Sequence, residues 1–151
     1  MINLIKRSRA LQVFILGIIA VIFYHEVFSM QFWKDDFSML YNLQQKIQFF
    51  YPYYQLMNSY APLFAVFGTN PFGYFAVGLL TLVFSAVLFY FLVYSLFSNK
   101  LLAFVASLIY ITSPVGVDNA FMAETFAATY ELLIVFLGVL LLLIKYYKER
   151  K

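Results

Sequence analysis

Apolar residues run along this chain in long blocks rather than singly. Four blocks can be drawn: residues 11–28 (LQVFILGIIAVIFYHEVF), 72–97, 101–117 and 121–147. Crossing a hydrocarbon core of ~30 Å takes roughly 20 helical residues, within a range of about 17–25. The first, second and fourth blocks meet that length. The third loses its unbroken apolar character at Thr112, just before Pro114. The pattern predicts an all-α polytopic membrane protein with four transmembrane helices, folded as a single membrane domain over residues 1–151. Polar punctuation sets the limits of the blocks. Asn70-Pro71 reads as an N-cap followed by proline at the first helical position. Ser98-Asn99-Lys100 reads as a tight turn that makes the second and third blocks a helical hairpin. Ser113-Pro114-Val115-Gly116 ends the third block, because proline cannot donate a backbone hydrogen bond and restricts the residue before it.

Residues 29–71, between the first two blocks, are too many for a simple connection, and a long structureless loop is uncommon. Phe37, Leu40, Leu43, Ile47 and Phe50 fall close to a helical stripe, with Asn42, Gln44, Gln45, Lys46 and Gln48 on the other side. An amphipathic helix lying in the membrane interface is expected there. A second short helix is expected to begin near Pro62 and to stop at Gly68 as its C-cap. Trp33, Tyr51, Tyr53, Tyr54 and Tyr60 fit an aromatic belt at headgroup depth.

Composition strengthens the membrane reading. The chain is 64% hydrophobic and 11% charged, whereas soluble domains average about 45–50% and about 25%. The absence of cysteine excludes a disulfide framework and a thiolate metal site. Charge placement then supplies an orientation. Of the ten basic residues, eight fall in three groups: Lys6, Arg7 and Arg9 before the first block, Lys100 after the second, and Lys145, Lys148, Arg150 and Lys151 at the end. With four crossings these share one side, which the positive-inside rule makes cytoplasmic, for the N-terminus and C-terminus alike. Glu26, Asp35, Asp36, Asp118, Glu124 and Glu131 fall on or near the opposite face. The first block is expected to be an uncleaved signal anchor, since no A-x-A-like site follows it. Cations confined to one rim give no basic nucleic-acid surface.

The acids carry the candidate chemistry. Asp35 and Asp36 sit in QFWKDDFSMLYNLQQ, directly after the first block. One of them would serve as N-cap of the interfacial helix, where free N–H groups and the dipole favour a carboxylate. A cap needs only one carboxylate, which leaves the other to solvation or chemistry. Glu124 and Glu131, seven residues apart, share one face of the fourth block. Glu131 lies inside the block, where an ionisable group faces a cavity or a partner. His25-Glu26 is no zinc motif, because the chain has one histidine.

The order of these features resembles the N-terminal part of the GT-C-fold membrane glycosyltransferases, the superfamily of protein O-mannosyltransferases and aminoarabinose transferases. The resemblance rests on "FWKDDFSML" just outside the first block, "APLFAVFGTNPFGYFAVGLL" opening the second, and "LLAFVASLIYITSPVGVDNAF" in the third. It implies transfer of a sugar from a polyprenyl-phosphate donor to an acceptor on the non-cytoplasmic face. It also implies that Asp35 and Asp36 are the first-loop catalytic acids, and that Asp118 and Glu124 are second-loop acids, in some members joined around a divalent cation such as Mg or Mn. Lys34, Glu124 and Glu131 are the expected substrate-binding residues, Lys34 beside the donor phosphate. Members of the superfamily have more spans and several hundred residues, so the expectation is an N-terminal half or fragment of such an enzyme. The rival expectation is a non-enzymatic four-helix subunit packed among lipid and other membrane subunits. A third is a transporter component with Glu131 on a polar path.

Overall fold

The computed structural model describes residues 8–32, 34–45, 54–113 and 123–150, and for residues 34–35, 54–59 and 123–128 the backbone alone. Among them are six α-helices and no strand. Two helices are long and apolar enough to cross a membrane, and two further apolar helices are shorter.

The first helix, α1 (Arg9–Phe23), starts at Ser8, whose hydroxyl accepts from the Leu11 N–H at 3.3 Å. It ends five residues before the apolar block does, giving way to a 3-10 turn at His25–Ser29. Side chains there bond to local carbonyls: His25 Nδ1–H donates to Ile22 O at 2.9 Å, and the Ser29 hydroxyl to Glu26 O at 2.8 Å. Such bonds compete with continued helix. Fifteen residues rise about 22 Å, so α1 is shorter than the expected span.

Next come α2 (Lys34–Gln44) and α3 (Tyr54–Phe67). α2 begins at Lys34, so Asp35 and Asp36 stand in its first turn rather than at the N-cap; the dipole favours carboxylates there too. α3 begins eight residues before the expected start, and Pro62 lies inside it. An internal proline removes one helical bond and costs roughly 3 kcal/mol. Packing of Tyr60, Leu63, Phe64 and Phe67 against the core offsets that cost. α3 does stop at Gly68, whose φ of +56° suits a residue without a Cβ and whose N–H bonds to Phe64 O at 2.8 Å.

The 27-residue α4 (Pro71–Phe97) opens as its sequence predicts, with the Asn70 carboxamide accepting from the Phe72 N–H at 3.1 Å ahead of Pro71. It packs against α1, α3, the 3-10 turn and both later helices, and so forms the spine of the fold. Its buried Phe75, Leu79, Leu82, Ala86, Tyr90 and Val93 recur at helical spacing. The hairpin turn at Ser98-Asn99 also follows expectation. Ser98 adopts the left-handed conformation at φ 55°, and Asn99 caps α5 (Lys100–Ile111) by accepting from the N–H groups of Leu101 and Leu102. α6 (Ala123–Glu149) packs against α4, α3 and α2.

Buried polar groups tie the apolar helices together. Tyr90 OH donates to Gln12 Oε1 at 2.6 Å, joining α4 to α1. Tyr24 OH donates to Ile111 O at 2.8 Å, and the Ser85 and Tyr110 hydroxyls meet at 2.8 Å. Gln12 Nε2 and Ser107 Oγ are buried without a hydrogen-bond partner among the described residues.

The described members of the three basic groups gather at one end, as the sequence predicts. Arg9 at the start of α1 donates to Tyr94 OH at 2.6 Å and lies 4.1 Å over its ring. Lys148, near the end of α6, donates to Ser95 O on the last turns of α4. The start of α1, the α4–α5 turn and the end of α6 therefore share one end of the bundle.

Candidate functional site

At the other end, the site is built around Asp36. The buried face of α2 carries Asp36, Met39 and Leu40, with Leu43 partly buried, at i, i+3, i+4 and i+7. Of the expected apolar stripe, Leu40 and Leu43 turn toward the core, while Phe37 is 60% exposed, as is Tyr41. Asp36 replaces Phe37 on the inner face because a partner waits for it. Tyr60, on α3, donates its hydroxyl to Asp36 Oδ1 at 3.4 Å, and both side chains are 1% exposed. Tyr60 accordingly lies in the core, not in an aromatic belt.

Aromatic rings pack around Tyr60, the partner of Asp36. The Tyr60 and Tyr74 centroids are 4.7 Å apart, and Tyr74 meets Phe32 edge-on at 5.2 Å. Tyr74 OH donates to Gly68 O at 2.7 Å. That bond ties the first turn of α4 to the end of α3, so the α3–α4 corner is held close to Asp36. At 3.4 Å the Tyr60 bond is long for O–H···O, whose usual range is about 2.5–3.0 Å.

The remaining candidates divide into three groups. Asp118 lies outside the described residues, as do Trp33, Tyr51 and Tyr53. For Lys34, Asp35 and Glu124 the helix positions alone are described: the first turn of α2 for the first two, the first turn of α6 for Glu124. Glu131 is half-buried on α6, next to the buried Tyr130. Because α2 packs against both α3 and α6, the elements bearing Asp36, Glu124 and Glu131 adjoin. Among the described residues no three His, Asp or Glu side chains gather in a way that could hold a metal ion. His25 is exposed and engaged with a backbone carbonyl.

Around the helix from Asp36, α2 borders an open cleft of about 500 Å3. Phe37, Leu40, Tyr41 and Gln44 line it at i, i+3, i+4 and i+7, with Gln31 before the helix and Thr69 from the α3–α4 corner. Sequence reasoning missed this cleft and missed Tyr60 as the partner of Asp36. The spacing of Phe37, Tyr41 and Gln44 was a usable signal for the cleft. The pairing of Tyr60 with Asp36 spans 24 positions and left none.

Comparison with protein-family models, characterised proteins and solved structures finds no match.

Proposed function

We infer that this chain is the membrane-embedded N-terminal half of a glycosyltransferase, one that moves a sugar from a polyprenyl-phosphate donor to an acceptor at the end of the bundle bearing Asp36. The single observation carrying this reading is the placement of that acid. A buried carboxylate occupies the first turn of a short helix between two apolar helices, hydrogen-bonded to the hydroxyl of Tyr60, whose ring packs on Tyr74. In this reading the bundle crosses the bilayer four times, with the cationic end in the cytoplasm by the positive-inside rule. Asp36 acts as general base, taking the proton from an acceptor hydroxyl as its oxygen attacks the anomeric carbon. The polyprenyl phosphate departs with the bonding electron pair, and Lys34 offsets its charge. Asp35, in the same helical turn, orients the acceptor. Access to Asp36 requires α3 to draw Tyr60 back.

The test uses the intact protein in lipid with a polyprenyl-phosphate sugar donor. Asp36→Asn is expected to lower transfer at least a hundredfold while leaving the thermal unfolding midpoint within a few degrees, and Asp35→Asn to lower it less. Undiminished transfer in both variants would remove the proposed role.

A second reading has its own support in the burial of Asp36. A carboxylate 1% exposed and bonded to Tyr60 also serves as an anchor between α2 and α3 in a non-enzymatic subunit of a larger membrane assembly. Loss of folding in Asp36→Asn, with no sugar transfer by the unaltered protein, is the outcome that favours it.

A further inference from the structure

We propose that the cationic end of the bundle binds the phosphate of an anionic phospholipid, at Arg9 and Lys148. By sequence, the three basic groups of that end hold eight basic residues and one acid, Glu149. Glu149 lies 3.8 Å from Lys145, which thus has its counter-charge on its own helix. Arg9 and Lys148 do not: among the described residues neither meets a carboxylate. Each is held by a neutral group of α4 instead. The Arg9 guanidinium donates to Tyr94 OH at 2.6 Å and lies 4.1 Å over the same ring. Lys148 donates to the carbonyl of Ser95, the next residue along.

Holding a cation this way positions it without neutralising it. A guanidinium has five N–H donors, and Tyr94 takes one of them, on Nη2. The Tyr94 hydroxyl accepts that bond and keeps its own proton for a further acceptor. The Lys148 ammonium has three donors, and Ser95 takes one. What this corner presents is therefore a set of donors, two of them charged. The matching ligand is an anion with several acceptor oxygens, and a phosphate is one that a guanidinium meets with paired bonds. The positive-inside rule by itself asks only for cations on this side, with their heads free in water. It does not explain why two of them are fastened to consecutive residues of one helix.

The flanks identify where the phosphate comes from. Leu96 and Phe97 follow Ser95 directly, and Leu142 and Tyr146 share the last turns of α6 with Lys148; all four are exposed. A soluble phosphate or nucleotide on Arg9 would leave these apolar surfaces in water. Acyl chains cover them, so the headgroup and the tails of one phospholipid fit both parts of the surface. A zwitterionic lipid brings its own cation beside its phosphate, which Arg9 and Lys148 repel. An anionic lipid brings none and is the preferred occupant. The inference needs a bilayer surface at this end and is independent of sugar transfer, since it concerns the end of the bundle opposite Asp36.

The test is native mass spectrometry of the whole protein in mild detergent, with phosphatidylglycerol and phosphatidylcholine supplied at equal concentration. Phosphatidylglycerol is expected to be retained at least tenfold over phosphatidylcholine. Arg9→Gln and Lys148→Gln are each expected to cut that excess about fivefold, the scale for one basic residue beside an anionic membrane surface, and the double variant to abolish it. Tyr94→Phe, which removes the hydroxyl and keeps the ring, is expected to cut it at least twofold. Lys145→Gln removes a cation already paired with Glu149 and should leave the excess within twofold. Phosphatidylcholine retention is expected to stay constant throughout, which a misfolded variant would not allow. Equal retention of the two lipids, or an excess indifferent to both Arg9→Gln and Lys148→Gln, overturns the proposal. Displacement of phosphatidylglycerol by inorganic phosphate at constant ionic strength also overturns it, by making this a site for a soluble anion. A preference for polyprenyl phosphate over phosphatidylglycerol that vanishes in the same variants overturns it too, by placing the donor here. Sugar transfer without the lipid preference sinks this proposal alone; the preference without sugar transfer sinks the transferase reading alone.

Discussion

α4 and α6 are the same length, 27 residues each, and both contain a stretch apolar enough to span a bilayer. Yet 44% of that stretch is buried within the protein in α4 and 11% in α6. What differs is not oiliness but the small and polar residues set among the apolar ones. α4 carries Gly73, Gly78, Ser85, Ala86 and Tyr90 on its buried faces. α6 offers Leu132, Val135, Phe136, Val139 and Leu142 to its surroundings, each at least half exposed. Without a hydrophobic drive between helices in lipid, close approach and hydrogen bonding decide which surfaces meet. A spine helix is thus recognised by its interruptions.

The sharpest way to break that comparison uses one glycine from each helix. A Cβ on Gly73 would lie 2.2 Å from the Phe67 ring, while one on Gly138 meets nothing within 4 Å. Gly73→Ala is expected to cost about 1–3 kcal/mol through overpacking, read as a lower unfolding midpoint in detergent. Comparable midpoints for Gly73→Ala and Gly138→Ala would show that the two helices are not differently packed. Next in size, Asp36→Ala leaves the Tyr60 hydroxyl buried without its carboxylate and is expected to cost about 1–3 kcal/mol. The Tyr60→Phe background should shrink that cost, and an undiminished cost there would detach the acid from Tyr60.

A smaller effect is expected for the bond between α1 and α4. Gln12→Leu and Tyr90→Phe each remove one end of it, and the double variant removes both. Coupling of about 0.6–1.7 kcal/mol is expected from a double-mutant cycle, the range found for hydrogen bonds between membrane helices. Because Gln12 Nε2 has no partner among the described residues, Gln12→Leu also relieves a buried polar group, so the double variant should sit close to the original protein. The smallest effects belong to α6. Gly138→Ala should gain about 0.5–1 kcal/mol from helix propensity, and Phe136→Ala should change stability by no more than about 0.5 kcal/mol.

Local signals in the sequence served well where the physics is local. Asn70-Pro71, Ser98-Asn99 and Gly68 mark helix ends because capping involves residues two or three positions apart, and each stands where its chemistry predicts. The shared end of the cations was equally legible, since like-sided charge is a property of whole blocks. The face of α2 was not. Counting apolar residues gave a stripe that could face lipid or the bundle and left Asp36 off it, whereas Asp36 holds an inner position beside a tyrosine far along the chain. Proline counted as a helix start at Pro62 because local rules disfavour it elsewhere; the contacts of Tyr60 and Phe67 that override those rules are tertiary. The end of α1 failed for a related reason, as hydropathy does not register the carbonyl bonds made by His25 and Ser29.

The unequal heights of the helices have a consequence for the lipid. α4 rises about 40 Å and its neighbour α1 about 22 Å. In the four-crossing arrangement proposed above, the bilayer would thin beside α1 or the bundle would lean, at fractions of a kcal/mol for each ångström of mismatch. Because α1 starts level with the last turns of α4, where Arg9 meets Tyr94, the shortfall would fall at the end bearing Asp36.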